Sequence, residues 1–434
     1  MNDHGKAERR IFHRIGELRK RYYGATVGFV SSLTPNFKVM LVRRPIHGIA
    51  MNLSNQYDSI YATILGANPV QVGSLRSVGN MVAALMALPA GWLIDTRSLK
   101  KVFIAGTIVM SLASLMYFIA PHWVYLYTAL ILFMVGTRVI CTACTVTCAN
   151  ELSNKQRATG RGLCRTTSSA VTLLTPMLAA WIVSVSGGLT REGIRPLYAL
   201  QVVIFLLLVV LLAIFFKDTS VSQKRAQSGS ILGDFGSVLK QGPDVKRMLL
   251  LMALMDLPFV MAQPFIPLYA HQIKGADEFM LGGIALAKMV VPLLFSIPLG
   301  KIADRYGRKL ILFTLAPLVY LSYLCLIWAA GPALLIIFGL LLGFNSIAFS
   351  IGSAMAAEIM PKEQMGKWAG IMSLVRGAFS IPAPLVGGFI WDHIGPGYLF
   401  IVVIIIDVVF RLPLLMTIKE TLHLDKGPGE KSCI

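Results

Sequence analysis

The sequence predicts an all-α integral membrane protein, with twelve transmembrane helices in two pseudo-symmetric six-helix halves. Three observations carry this reading: an apolar composition, about twelve stretches long enough to cross a bilayer, and a repeat that relates the halves. Of the 434 residues, 56% are hydrophobic and only 14% are charged, with a mean hydropathy of +0.69. Soluble domains carry roughly 25% charged residues, so this chain lacks the polar cover a globule needs. Its 38 Gly and 20 Met suit closely packed apolar helices. The composition excludes a soluble enzyme, a disulfide-stapled secreted module and a disordered chain.

About 20 apolar residues cross a bilayer as a helix. Such stretches fall at 45–66, 70–93, 102–120, 124–148, 162–186 and 196–216, then at 248–270, 279–299, 310–330, 333–356, 368–390 and 397–418. The first is the most polar, holding Asn52, Ser54, Asn55, Gln56 and Asp58. Pro45 is read as its first helical residue, because proline is tolerated where no backbone donor is needed. The resulting organisation is a basic tail over 1–44, a first half over 45–216, a linker over 217–247, a second half over 248–418 and a tail over 419–434.

The net charge of +19 would suit a nucleic-acid partner, so the placement of the charges decides. With the chain starting inside, 31 of the 40 Lys and Arg fall on inner segments; only Arg191, Arg195 and Lys274 fall on the opposite loops. By the positive-inside rule both termini are cytoplasmic and the host is the plasma membrane. No basic block forms a separate folded unit, which argues against nucleic acid. Residues 1–44 lack the apolar core and cleavage site of a secretory signal. Within them Ile11, Phe12, Ile15 and Leu18 recur at helical spacing among Arg9, Arg10, Arg14, Arg19, Lys20 and Arg21. This is either an amphipathic helix on anionic lipid or a basic tail that only fixes topology.

Self-comparison shows the duplication. Tyr61-Ala62 recurs as Tyr269-Ala270, Gly73 as Gly282, Gly91 and Asp95 as Gly300 and Asp304, Glu151 as Glu358, Gly162 as Gly370 and Pro176 as Pro384, at offsets of 207 to 209. A parallel repeat about an axis along the membrane normal places a cleft between the halves, with a site near the midplane. Between the eighth and ninth spans stands Gly300-Lys-Ile-Ala-Asp304-Arg305-Tyr-Gly307-Arg308-Lys309. It meets every specified position of G-x-x-x-D-R-x-G-R-[RK], and through it the chain resembles the major facilitator superfamily over about residues 43–418. The first-half copy keeps Gly91 and Asp95 and departs at Thr96, Ser98 and Leu99. The resemblance implies the fold of that family, alternating access, and loops that latch the halves in the outward-facing state through Asp95 and Asp304. Physically, glycine allows close helix approach, Gly307 permits a tight turn, and an Asp at the N-terminus of a helix in the other half is stabilising by ~0.3–2 kcal/mol.

Ionisable groups inside a bilayer cost at least ~2.5–3.5 kcal/mol each on insertion scales, so each calls for a partner or a task. Asp58, Arg76, Arg138, Asp256, Lys288, Arg376 and Asp407 lie within spans, with Arg165 nearer the inner surface. Depth allows two pairs, Asp58 with Arg76 and Asp256 with Lys288. Each is read either as a static bridge or as a proton-coupling element whose acid takes a proton when it loses its partner. In the first span Asn52, Gln56, Ser59 and Thr63 share a face, which is costly against lipid and therefore lines a cavity. The resemblance implies that spans one, four, seven and ten surround that cavity, making Arg138 and Asn345 substrate-facing, with Arg376 on span eleven beside them. Embedded bases outnumber embedded acids, which leans toward an anionic solute.

Thr175-Pro176-Met-Leu-Ala179-Ala180 and Ala383-Pro384-Leu-Val-Gly387-Gly388 resemble the Gly-Pro-x-x-Gly-Gly element of exporters in the family, a slight lean to export. Cys141, Cys144 and Cys148 share one face of span four. They read as small packing residues rather than a soft-metal pathway, since no His joins them. No phosphate-binding loop supports ATP coupling. The expected protein is a monomeric, cofactor-free secondary carrier of a small solute, coupled to protons. A solute sensor built on a carrier fold and a lipid or amphiphile translocator are the competing readings.

Overall fold

The computed structural model describes residues 33–152, 157–218, 242–359 and 365–420. The candidate amphipathic stretch near residues 11–21 lies outside them, as does most of the 217–247 linker. Among the described residues the regular structure is helical throughout.

The first span opens earlier than the sequence suggests. Thr34 accepts the Phe37 amide as an N-cap and Pro35 takes the first helical position, so the helix runs Pro35–Ser54. Pro45 lies inside it, and the expectation that Pro45 opens the span is corrected. The cap and its proline stand ten residues upstream, where the charges of Lys38, Arg43 and Arg44 disguise a helix as a tail. After a turn at Asn55–Tyr57 the span continues as Asp58–Ile64. The second span starts from an Asn68–Gln71 capping box, runs Pro69–Leu85, and bends by 43° into the segment ending at Thr96.

Spans three, four and six are Leu99–Ile119, Tyr125–Glu151 and Arg191–Phe215. Span five is Arg157–Thr172 followed by Thr175–Val185, broken at residues 173–174 just before Thr175-Pro176. In the second half the spans are Pro243–Ala262 with Phe265–Leu268, Glu278–Tyr306, Arg308–Ile327 and Pro332–Glu358. Span eleven, Met365–Ser380 with Ala383–His393, repeats the break of span five, at residues 381–382 just before Ala383-Pro384. Span twelve is Pro396–Ile406, a π-helical turn at Asp407–Arg411 and Leu412–Thr417. Among the described residues ten helical units are long and apolar enough to cross a membrane, and the bent second span makes eleven. The first span falls short by that measure because Lys38, Arg43 and Arg44 lie within its helix.

The chain enters at Pro35 and leaves at Ile418 on one face, called here the basic face. At the opposite face a single apolar core joins both halves, from Leu53, Tyr57 and Ile60 to Phe265, Tyr269, Trp391 and Phe400. Toward the basic face the core divides. One cluster, including Met40, Ile94, Phe103 and Phe205, belongs to the first half; another, including Met248, Ala303, Leu312 and Trp368, belongs to the second. Two halves that share a core at one end only form a vee, open toward the basic face.

Candidate functional site

The closed end of the vee is held by elements of the repeat. A Cβ on Gly73 of span two would strike the Pro384 carbonyl of span eleven, and one on Gly282 of span eight would come within 2.9 Å of the Pro176 carbonyl oxygen of span five. These are two copies of one contact, since Gly73 corresponds to Gly282 and Pro176 to Pro384. Gly388 likewise sits against Pro69, where a Cβ would come within 2.6 Å of the carbonyl oxygen. Hydrogen bonds also cross between the halves. Tyr57 donates to the Glu278 carbonyl at 3.2 Å, and Asn80 donates to the Ser380 carbonyl at 2.7 Å.

The polar face of span one turns inward. Gln56 is buried and donates to the Pro176 carbonyl at 3.1 Å, Asn52 donates back to Gly48, and Thr63 donates to Ile60. Asp58 stands where the helix resumes. Arg76 reaches its Oδ2 at 3.3 Å, and the Tyr198 hydroxyl donates to Oδ1 at 3.0 Å. Tyr198 is fixed in turn by stacking on Tyr117, with ring centroids 4.9 Å apart. A cavity of about 280 Å³ beside this cluster is lined by Asn52, Asn55, Asp58, Arg76, Tyr198 and Gln201. Removing either ion from a buried pair costs roughly 3–5 kcal/mol, less here because both side chains are about one quarter exposed.

Asp256 is not paired with Lys288. Its partner is Arg376 of span eleven, whose guanidinium also lies over the Phe349 ring at 4.7 Å. Lys288 points elsewhere, over Phe259 at 5.3 Å, and lines an 80 Å³ cavity between the halves with Gln56, Arg76 and Gln263. Matching depth did not bring Asp256 and Lys288 together, because depth leaves the direction of each side chain around its helix open. Arg376, read only as a substrate contact, thereby becomes half of an ion pair.

A third carboxylate cluster was only half visible in the sequence. Asp407 binds Arg411 four residues on and accepts the Tyr320 hydroxyl of span nine. The Asp-x-x-x-Arg spacing in an apolar run was the available signal. Asn345 lines the 30 Å³ cavity beside this cluster, with room for about one water.

Arg138 is exposed on the face of span four that also carries Cys141 and Thr145. Nearby, a cavity of about 550 Å³ between spans one, four and five is lined by Arg43, Arg44, His47, Cys141, Cys164 and Arg165 among others. Arg43 and His47 went unrecognised as site residues because they lie in a segment read as tail or span edge.

The loops at the open end are apart from the other half. Asp95 is exposed, and Asp304 is 67% exposed with a weak bond to Arg308 of its own loop at 3.5 Å. A Cβ on Gly91 or Gly300 would meet open space. The expected seating of Asp304 on a helix N-terminus of the other half is absent in this conformation. Glu420 instead caps span nine, accepting the amides of Arg308 and Lys309, at the Gly307 turn with its φ of +111°. Arg308 binds Glu358 at 2.6 Å, Lys309 donates to the Met416 and Ile418 carbonyls, and Arg305 lies over Tyr306.

Comparison with known proteins agrees with this architecture. The solved structure of the nucleoside transporter NupG superposes with a TM-score of 0.72 at 15% identity, covering 89% of this chain and all of that one. The tetracycline resistance protein, class B, of Escherichia coli is 24% identical over 160 residues, 36% of this chain and 40% of that protein. The Staphyloferrin B transporter of Staphylococcus aureus is 28% identical over 172 residues, 38% of this chain and 40% of its own length. A multi-drug resistance efflux pump PmrA homolog of Lactococcus lactis is 25% identical over 33% of this chain and 36% of its own. These alignments span about two fifths of each relative. The pattern of the Major Facilitator Superfamily itself, by contrast, matches residues 46–291 and 248–431. With two related halves, a cleft between them and the Gly300–Lys309 loop, the chain belongs to the major facilitator superfamily, a family of transporters and not of enzymes.

Proposed function

We propose that the protein exports a small organic solute against protons by alternating access, from the plasma membrane, with both termini in the cytoplasm. The division of one shared core into two at the basic face carries this reading, because a rocking carrier needs one closed and one open end. The 31-to-3 charge bias makes the basic face cytoplasmic, so the structure is read as inward-facing. Export is favoured by relatives named for tetracycline and multidrug resistance and by the Pro176 and Pro384 elements seated at the interface. Asp58 and Asp256, each held by an arginine, are the proton-accepting groups, ionised while paired and protonated when a change of conformation or an arriving solute takes the arginine away.

Purified protein in liposomes with an imposed pH gradient tests the proposal, with tetracycline as the first probe and an anion panel after it. Accumulation that collapses with an uncoupler is expected. Saturable binding without flux would instead support the sensor reading.

The loop aspartate gives a narrower prediction. In this inward-facing arrangement Asp304 bonds only weakly, to Arg308 of its own loop, so its stabilising role falls in the outward-facing state. Asp304→Ala is expected to shift the population further inward by about 2- to 30-fold, the equivalent of losing ~0.3–2 kcal/mol at a helix N-terminus. Thiol labelling from each side reads this directly. An unchanged ratio of inside to outside labelling would remove the latch from the mechanism.

A further inference from the structure

The largest cavity described above lies within the first half, between spans one, four and five, and the charge pairs do not use it. Its lining carries three arginines, Arg43, Arg44 and Arg165, with the His47 imidazole beside them, and among the described residues no Asp or Glu. Arg43 is the informative one. It is 1% exposed, and among the described residues only one of its nitrogens has a protein partner, Nη2, which donates to Cys144 Sγ at 2.8 Å. The guanidinium lies over the Phe103 ring at 4.9 Å, which supports its charge from one side. Among the described residues its Nε and Nη1 are buried with no acceptor, and Nδ1 of His47, one helical turn away, is buried with no partner. Buried polar atoms are nearly always satisfied, and each exception in a native fold calls for a reason. Arginine presents its donors as a fork that matches carboxylate and phosphate oxygens.

The rest of the lining says what is attached to the anion. Cys141, Cys144, Cys148, Cys164 and Ile140 form a soft, weakly polar wall, and Ser168 and Thr145 add hydroxyls. Thiols pack as small polarisable apolar groups. A volume of about 550 Å³ falls within the range of sites for drug-sized molecules. We infer that this cavity binds the anionic group of the transported solute, an organic anion bearing a carboxylate or phosphate on an apolar body. The identification of the anion as cargo rests on the transport reading above; the anion site itself does not.

The exposed thiol of Cys141 is a built-in reporter of the cavity's potential. In a variant whose other cysteines are serine, we would compare a negatively charged sulfonatoethyl methanethiosulfonate with its positively charged trimethylammonioethyl counterpart. Relative to a free thiol in solution, the anionic reagent is expected to be favoured at least 10-fold. Arg43→Gln and Arg165→Gln should each reduce that preference about 3-fold or more. A ratio equal to that of the free thiol, or a preference for the cation, would overturn the site without any variant being needed. Citrate and phenyl phosphate, which distinguish carboxylate from phosphate, are then used to protect Cys141, with triethyl citrate as the uncharged control. Protection by either anion but not by the ester supports the inference, whereas equal protection by the ester, or none by either anion, defeats it. Flux is scored separately. Charge selectivity without flux in liposomes would sink the transport reading and keep the site. Flux of citrate or phenyl phosphate unaffected by Arg43→Gln and Arg165→Gln would sink the cargo assignment and keep the transporter.

Discussion

A double substitution of Gly73→Val and Gly282→Val is expected to wedge apart the closed end of the molecule and trap it away from the inward-facing state. Both glycines lie where two helices of different halves meet backbone to backbone, Gly73 on Pro384 and Gly282 on Pro176. A proline carbonyl belongs to the main chain and cannot swing aside as a side chain would. Overpacking of this kind costs ~1–3 kcal/mol per site, so each valine should shift the conformational balance roughly 5- to 150-fold. The two sites are copies of one contact and share no contacting residue, so their effects should add approximately. Spin labels at His122 and Ala330, exposed at the opposite face on different halves, give the measurement. The distance distribution should move to longer values in each single variant and further in the double. Distributions that match the wild type would mean that these contacts do not govern closure. The first span supplies a control, since a Cβ on Gly48 would meet only side-chain atoms of Thr172 and Ser168 within its own half.

The second large effect concerns the carboxylates. Asp58→Asn and Asp256→Asn should each abolish uphill transport while leaving solute counterflow within about 3-fold of wild type. An asparagine still fills the space and still accepts a hydrogen bond from Arg76 or Arg376, but it neither carries charge nor exchanges a proton at this position. The two variants should be alike in stability. Asp256 is 14% exposed, but the Arg376 it leaves is 34% exposed, so solvent screens the orphaned charge and the loss stays below the roughly 3–5 kcal/mol of a fully buried pair. Asp58 and the Arg76 it leaves are each about one quarter exposed and face a cavity, so screening limits that loss as well. Both variants are therefore expected to melt within several degrees of wild type. Counterflow guards against a folding defect, since a misfolded carrier loses both activities. If both variants accumulate solute uphill with the wild-type pH dependence, neither acid is the coupling group.

The helical spans were legible because hydropathy and capping are local. Asn68 with Gln71, Ser98, Thr190 and Asp277 each cap a span with their own side chains. The first span was misread for an equally local reason. Arg43 and Arg44 count as polar in any sum over the sequence, while the fold buries Arg43 against Phe103 and Cys144. The Asp58–Arg76 pair came out as depth suggested, because neighbouring antiparallel helices joined by a short turn have little freedom to miss. Asp256 and Lys288 stand on neighbouring spans too, yet Asp256 faces span eleven, which lies more than 100 residues away in the chain.

What the sequence determined alone was the membrane class, the duplicated six-span plan, the 31-to-3 charge bias and the Gly300–Lys309 loop. Each is a pattern along one dimension. Only the tertiary structure decided which glycine meets which proline, which base each acid holds, that Arg43 borders a cavity with two donors unused, and that this conformation is open at the basic face. Each residue advances a helix by about 100°, so small errors in where a helix starts redirect every side chain on it. The relation of the two halves is a rigid-body choice between arrangements that share one sequence and nearly all of its local contacts, and it rests on a few packed positions at the interface.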